Sequence, residues 1–176
     1  REVGRTKVMF RDLLITESDT AKISPDEAAK ILRDEILSGR LELKDMDEDA
    51  QYFIERVNFA AAVCPESGIQ PIDDAAKSEI FEQMCCGCVS FSDVKALDAK
   101  AALRDWLSYE QQCMLKYLVP KSVEFPRRKK PVRIRYEISP PRAVVSAFFR
   151  DFFDFDEKKL KICDGKIRPT FEILSP

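Results

Sequence analysis

Residues 132–138 read VRIRYEI, a pattern that indicates β-structure in the C-terminal part of the chain. Apolar and charged side chains alternate along it, the apolar set being Val132, Ile134, Tyr136 and Ile138. Successive side chains of a β-strand point to opposite faces, so the alternation predicts a half-buried strand with a charged outer face. The residues before Pro120 follow a different period, which indicates that two kinds of structure meet near this proline.

Between residues 24 and 119 the apolar residues recur every three or four positions, which predicts helices. The clearest start is Ser24-Pro25-Asp26-Glu27, which combines an N-cap serine, a proline at the first helical position and a capping-box glutamate. Gly39 is the expected end of this helix. Further predicted helices begin near Asp47, Asp74, Ser90 and Ser108. We therefore expect a compact helical array.

The residues after the predicted strand suggest one more helix and a hairpin. The helix follows Pro140-Pro141, because apolar residues then recur at helical spacing, namely Val144, Val145, Phe148, Phe149, Phe152 and Phe153. The hairpin would turn at Asp164-Gly165, with Pro169 placing its second strand at an edge or a bulge. The predicted fold class is α+β: a helical array, about residues 24–119, followed by a small mixed β-sheet with one packed helix.

We divide the chain into three parts. Residues 1–20, where Val8 and Phe10 alternate with charged neighbours, are expected to be the end of an upstream β unit. Residues 21–119 are expected to form a helical bundle-like accessory domain, and residues 120–176 a C-terminal α+β accessory domain. The start at Arg1 rather than at a methionine suggests a piece of a longer protein.

The composition suggests a cytoplasmic protein without a membrane partner. No stretch approaches the roughly 20 apolar residues of a membrane span, and no signal segment is evident. The six cysteines are too few and too scattered for a secreted disulfide scaffold of this size. We therefore expect a reducing compartment.

The sequence argues against catalysis by this chain. The five glycines are Gly4, Gly39, Gly68, Gly87 and Gly165, and no two are close enough for a P-loop or a dinucleotide fingerprint. The sequence contains no histidine, which removes Ser-His-Asp and Cys-His catalysis and histidine-containing metal sites. We expect neither nucleotide hydrolysis nor a cofactor within the chain itself.

The run Cys85-Cys86-Gly87-Cys88 is the candidate metal site, since Cys64 or Cys113 could supply a fourth thiolate. Structural zinc sites normally use paired C-x₂₋₄-C knuckles, whereas here three thiols crowd one helix end. We favour small, polarizable core residues and expect no metal. A redox-active thiol is the other alternative, although no basic residue lies nearby in sequence to lower its pKa.

The aromatic run from Phe148 to Phe155 has two interpretations. Its rings could form a platform on which bases stack. Phenylalanines repeating every three to four residues are, however, typical of a helix packed on a sheet. We predict core packing.

A basic strip runs from Lys121 to Arg135. It contains seven basic residues and one acid, so the strip carries +6 while the chain as a whole carries −2. Such a concentration indicates an anionic partner, and solvated surface charge is the alternative. The candidate nucleic-acid-binding residues are Arg127, Arg128, Lys129 and Lys130 in a predicted loop, and Arg133 and Arg135 on the outer strand face.

Several motifs resemble those of bacterial HrpB-type helicases, which are DEAH-box ATP-dependent RNA helicases. The matching segments are Ser90–Asp98, Ala102-Leu103, Leu107–Gln112, Val119-Pro120, Phe125-Pro126, Arg133–Tyr136, Pro140-Pro141 with Ala143-Val144, Gly165–Ile167 and Leu174–Pro176. The resemblance extends from about residue 50 to the end and is thinner before that. Tyr109 replaces a tryptophan of the family motif, Pro126–Arg128 replaces a Pro-Ser-Gly turn, and Arg150–Asp154 replaces a Gln-Glu-Leu-Phe-Gly segment.

The resemblance implies a place downstream of two RecA-like motor domains, which would bind ATP and Mg²⁺ and would be this region's partners within the protein. It implies a non-catalytic accessory role that supports single-stranded RNA binding and domain organisation. The alternative is a protein–protein docking module whose basic strip meets an acidic surface and which has no direct RNA role.

Overall fold

The computed structural model describes residues 5–10, 13–19, 24–88 and 90–175. Strands β1 (Arg5–Phe10) and β2 (Leu13–Asp19) pair antiparallel in a two-stranded sheet. The strand predicted around Val8 and Phe10 is therefore present. Residues 1–4, 11–12 and 20–23 lie outside the described part of the chain, and the assignment of residues 1–20 to an upstream β unit stays a prediction.

The described part of the chain between residues 24 and 119 is helical. Its elements are α1 (Pro25–Leu37), α2 (Glu48–Val63), α3 (Asp74–Met84), α4 (Phe91–Lys95), α5 (Ala99–Asp105) and α6 (Tyr109–Leu118), with a 3₁₀ turn at Pro65–Ser67. Capping boxes at Ser24, Ser90 and Ser108 start α1, α4 and α6, as predicted. Gly39 adopts a left-handed φ of +74° just beyond α1, where the helix was expected to end.

The central helix of the array is α2. Val57, Phe59 and Ala60 are completely buried on it, and it contacts α5, α6 and the C-terminal sheet. The buried apolar residues of the helices and of the sheet, apart from Val144, form one contiguous hydrophobic cluster. The basic strip therefore rests on a core that both parts of the chain share.

The C-terminal part contains two small sheets. Strands β3 (Ser122–Val123) and β4 (Val132–Arg133) pair antiparallel. Strands β5 (Arg135–Ile138), β6 (Pro141–Phe148) and β7 (Pro169–Leu174) form the second sheet in that order. The β5–β6 pair is antiparallel and the β6–β7 pair is parallel. Helices followed by a mixed sheet confirm the α+β fold class.

The predicted strand over residues 132–138 is divided into β4 and β5 at Ile134. The Ile134 N–H donates to the carbonyl of Lys121 at 3.1 Å, which continues the register of the β3–β4 pair. The alternation of burial is confirmed for Val132, Ile134 and Tyr136, which are buried, whereas Ile138 at the strand end is 43% exposed.

Two local predictions were wrong. The segment expected to form a packed helix is strand β6 followed by a 3₁₀ turn, Phe149–Phe152. Val144 and Val145 are both buried because β6 is the middle strand and is covered on both faces. The expected hairpin is reduced to one isolated bridge between Ile162 and Ile167, and β7 pairs with β6 instead. The expected edge position of the strand that contains Pro169 is confirmed.

No helix in the described part of the chain combines the length and apolar character needed to cross a bilayer.

Candidate nucleic-acid interface

The centre of the basic strip is the loop 126–131, which lies within the connection between β3 and β4. Phe125, at the base of this loop, is 2% exposed. Its ring packs against Phe152 and Phe155, with centroids 5.3 and 4.6 Å away. The loop therefore projects from an aromatic anchor and holds its cationic side chains at a defined place on the surface.

Arg127 and Arg128 fasten the loop to the turn after β6. Arg127 Nη2 and Nε lie 2.6 and 3.0 Å from Asp154 Oδ2. Arg128 Nη1 lies 3.1 Å from Asp151 Oδ2, and the same carboxylate oxygen accepts the Phe148 N–H at 3.2 Å. Asp151 is only 5% exposed, whereas the side chains of Arg127 and Asp154 are more than half exposed. The Arg128–Asp151 pair is thus structural, and the Arg127–Asp154 pair is open to solvent.

Arg133 and Arg135 make the corresponding contacts on the strand face. Arg133 forms an ion pair with Asp49 at the start of α2, and its guanidinium lies 4.5 Å from the centroid of the Tyr52 ring. Arg135 contacts Glu137 at 3.3 Å and Glu172 at 3.1 Å. All four arginines of the predicted site therefore have carboxylate partners.

The carboxylate of Glu172 is stabilised in its charged form. The Ser146 hydroxyl donates to it at 2.7 Å, and this hydrogen bond together with the charge of Arg135 holds the pKa of Glu172 below its usual value. Arg135 therefore faces a carboxylate that stays ionised, which competes with any incoming phosphate.

Lys129 and Lys130 differ from the arginines. Both are exposed, and neither ammonium group has an ion pair or hydrogen bond with any of the described residues. Exposed ion pairs contribute little, about 0–1 kcal/mol, so Arg127 also remains available to exchange its carboxylate for another anion. The loop therefore presents two unpaired cations beside one exchangeable arginine.

A cleft of about 680 Å³ lies between this loop and residues 154–160. It is concave, as expected of a binding groove, but its charges are balanced. Three cations and three acids line it, namely Arg128, Lys129, Lys159, Glu124, Asp154 and Asp156. The positive character of the strip is thus concentrated at the loop tip rather than spread through the cleft.

The aromatic run divides into two sets. Phe152 and Phe155 pack against Phe171 with centroids 5.5 and 5.7 Å away, which agrees with core packing. For Phe149 and Phe153 that prediction was wrong, because they are 61% and 46% exposed. The helical period assumed for the sequence had placed all these rings on one buried face. Arg150, Asp151 and Asp154, which lie between the phenylalanines, were the signal that the segment turns at the surface.

The cysteines lie mainly in the interior. Cys64, Cys85, Cys88 and Cys163 are buried, whereas Cys86 and Cys113 are exposed. Burial raises the pKa of Cys85 to about 11, and burial together with the neighbouring Cys64 thiol raises the pKa of Cys163. Among the described residues, no group of three or more cysteine, aspartate or glutamate side chains is arranged to hold a metal ion. The four buried thiols act as core packing.

The described glycines do not cooperate in a phosphate-binding loop. Gly39, Gly68, Gly87 and Gly165 each sit in a separate turn with positive φ. Each of them allows one local change of chain direction, and no two of them share a turn.

Residues 81–176 match the family model described as ATP-dependent helicase C-terminal, HrpB_C. The chain belongs to this family. The resemblance inferred from segments such as Ser90–Asp98 and Leu107–Gln112 is thereby confirmed, and the chain is a HrpB-type helicase C-terminal accessory region. No curated protein matches the chain.

Two solved structures share this fold. The "Crystal structure of E. coli DExH-box NTPase HrpB" has a TM-score of 0.72 at 22% identity, covering 98% of this chain and 21% of that protein. The "Crystal structure of Escherichia coli DEAH/RHA helicase HrpB" has a TM-score of 0.70 at 22% identity, covering 97% and 22%. The chain thus spans about a fifth of the length of the HrpB structures it matches.

Proposed function

We propose that this HrpB-type C-terminal region is a non-catalytic accessory module of an ATP-dependent RNA helicase and that its loop 126–131 contacts single-stranded RNA. The RecA-like motor domains of the same protein bind ATP and Mg²⁺. The observation that carries the proposal is that Lys129 and Lys130 are exposed and unpaired among the described residues, on a loop that Arg128 and Asp151 hold in place.

The physical basis is phosphate neutralisation. When a lysine or arginine neutralises a phosphate, the counterions bound to that phosphate are released. The logarithm of the binding constant therefore falls linearly with the logarithm of the salt concentration, and this salt slope is about 0.7 per contact on a single strand. Because Phe125 and the Arg128–Asp151 pair already order the loop, binding costs less conformational entropy than binding to a disordered lysine tail. Lys129 and Lys130 are the first contacts, and Arg127 is the third once it exchanges Asp154 for a phosphate.

The remaining arginines of the predicted site take a different role in this proposal. Arg133 and Arg135 link the outer strand face to Asp49 on α2 and to Glu172 on β7. They organise the surface on which the loop sits, and they contribute to RNA binding through the local field rather than through direct contact.

The test is fluorescence polarisation of a labelled single-stranded RNA with this chain over a range of salt concentrations. In the Lys129→Gln/Lys130→Gln variant we expect weaker binding and a salt slope reduced by about 1.4, corresponding to two lost phosphate contacts. The matched control is Lys30→Gln/Lys44→Gln, which removes the same charge from exposed positions in the helical array. Absence of binding by the unaltered chain, or equal loss in the control, would refute the proposal.

Docking onto the motor domains is the second candidate, and one observation favours it. Ile173 and Leu174 are 61% and 43% exposed at the end of the edge strand β7, directly after Glu172, the partner of Arg135. Exposed aliphatic side chains beside a charged strip are typical of protein contacts. Docking predicts that Ile173→Ser weakens association with separately produced motor domains and leaves RNA affinity unchanged.

A further inference from the structure

Phe149 and Phe153 form an exposed aromatic pair after β6. Their centroids lie 5.2 Å apart in an edge-to-face arrangement, and the side chains are 61% and 46% exposed. Phe149 and Ile173 are also among the residues that line a mainly apolar hollow of about 290 Å³. Two adjacent phenylalanine rings open to solvent lose hydrophobic stabilisation, so a bound partner is the natural explanation.

The aromatic pair borders the cationic loop. The Arg127 guanidinium lies 5.2 Å from the centroid of the Phe153 ring. Arg127 also forms an ion pair with Asp154, which directly follows Phe153 in the sequence. Lys129 and Asp154 line the same cleft. The π-faces and the unpaired ammonium groups therefore belong to one continuous surface.

The charge of this surface distinguishes between partners. Segments 126–131 and 149–161 together contain eight basic and four acidic residues, a net +4 in a chain of net −2. A purely apolar protein partner would leave these cations without compensation. A single nucleic-acid strand satisfies both features, because its phosphates neutralise the cations while its unpaired bases stack on the rings.

We propose that Phe149 and Phe153 form a base-stacking surface, on which unpaired bases of single-stranded RNA lie while Lys129, Lys130 and Lys159 contact the phosphates. This inference rests on the proposed RNA-binding function. It adds recognition of the bases, which the lysines of the loop would not contact. Stacking on aromatic rings tolerates any base, so the surface holds RNA without reading its sequence.

The experiment uses this chain and two probes of equal length, an unstructured single-stranded RNA and the same ribose-phosphate strand without bases. In the Phe149→Leu/Phe153→Leu variant we expect the Kd for the base-bearing RNA to rise about tenfold. Its salt slope should stay unchanged because the phosphate contacts remain. The Kd for the abasic strand should be the same for both proteins. Leucine keeps an apolar side chain at each exposed position, and the melting temperature verifies the fold.

A 2-aminopurine base in the RNA gives an independent readout, since its fluorescence is quenched by stacking. We expect quenching with the unaltered chain and little with the double leucine variant. Tyr109→Leu is the matched control, because Tyr109 is 80% exposed on α6 and lies outside this surface. It should leave both the Kd and the quenching unchanged.

The outcomes separate the two proposals. If the unaltered chain binds neither probe, the RNA-binding function fails and the stacking surface with it. If it binds both probes equally, or if the leucine variant binds RNA as tightly as the unaltered chain, only the stacking surface is overturned. Unchanged RNA binding combined with weakened association with the motor domains would identify the pair as a protein-docking surface instead.

Discussion

The buried guanidinium of Arg56 donates to the main-chain carbonyl of Val119, with Nε 2.8 Å from the oxygen, and so joins the central helix α2 to the end of α6. Arg56 is 1% exposed, and among the described residues no carboxylate pairs with it. Its Nη2 also contacts the carbonyls of Val119 and Leu115. Val119 is the C-cap of α6, and this end of the helix carries partial negative charge. The Leu115 carbonyl also accepts the Val119 N–H at 2.9 Å.

Replacing Arg56 should therefore be strongly destabilising. Burial lowers the pKa of Arg56, which reflects the cost of desolvating the charge that those carbonyls offset. For Arg56→Ala we expect a loss of about 3–5 kcal/mol, because the change leaves a cavity and removes the Arg56 hydrogen bonds to the Val119 carbonyl. Arg56→Met keeps most of the volume and should lose about 1–3 kcal/mol. Urea unfolding monitored by circular dichroism measures both values.

Arg104 supplies the control for this prediction. Its Nε also donates to a helical carbonyl, that of Lys100 at 3.3 Å, but the side chain is exposed. Arg104→Met should change stability by about 0.5 kcal/mol or less. Equal effects at the two positions would show that burial of Arg56 is not what makes its hydrogen bonds important.

Tyr52 should make the fold sensitive to alkaline pH. Its hydroxyl lies 2.8 Å from the carbonyl of Lys121 and 2.6 Å from that of Ile134, and burial raises its pKa from 10.0 to about 12. Between these values the folded chain keeps a proton that the unfolded chain has lost. The stabilisation is therefore complete below pH 10 and is lost as the pH rises from 10 to about 12.

Chemical unfolding at a series of alkaline pH values tests this. The Tyr52→Phe variant lacks the ionisable group, so its free energy of unfolding should fall less steeply over the same interval. Tyr136 contributes in the same direction, since burial raises its pKa as well, and some slope should remain in the variant. Identical slopes in the two proteins would contradict the assignment to Tyr52.

The two aspartates that hold the cationic loop should differ in importance. Asp151 is 5% exposed and accepts from both Arg128 and the Phe148 N–H, so Asp151→Asn should cost about 1–3 kcal/mol. Asp154 forms an exposed pair with Arg127, so Asp154→Asn should cost about 0–1 kcal/mol. Asparagine also tolerates the left-handed backbone at Asp154, where φ is +63°. Thermal unfolding of the two variants gives the comparison, and the reverse order would count against the structural role of Asp151.

Thiol reactivity should follow exposure. Cys86 and Cys113 are exposed and should react first with a disulfide reagent in the native protein, whereas Cys85 is fully buried with a pKa raised to about 11 and should react slowly. All six cysteines should react in denaturant. In Cys86→Ser the fast phase should lose one equivalent. Rapid labelling of Cys85 in the native state would show instead that it is a reactive thiol.

Local signals in the sequence predicted the helical part well. A capping box involves only four consecutive residues, so Ser24, Ser90 and Ser108 could be recognised as helix starts without knowledge of the rest of the fold. The segment after Pro141 could not be assigned in this way. Val144 and Val145 are adjacent and point to opposite faces of β6, and both are buried because both faces are covered. The strand partner β7 begins 21 residues beyond the end of β6. A short apolar run is compatible with a helix until its strand partners are known.

Four features could be predicted from local sequence or composition: the α+β class, the helix starts, the burial alternation around Ile134 and the total charge of the basic strip. Which cations of the strip are free depends on long-range contacts. Arg133 meets Asp49, which is 84 residues away, and Arg128 meets Asp151, so Lys129 and Lys130 are left unpaired among the described residues. The exposure of Phe149 and Phe153 was decided in the same way, since ion pairing and burial depend on contacts between residues distant in the chain.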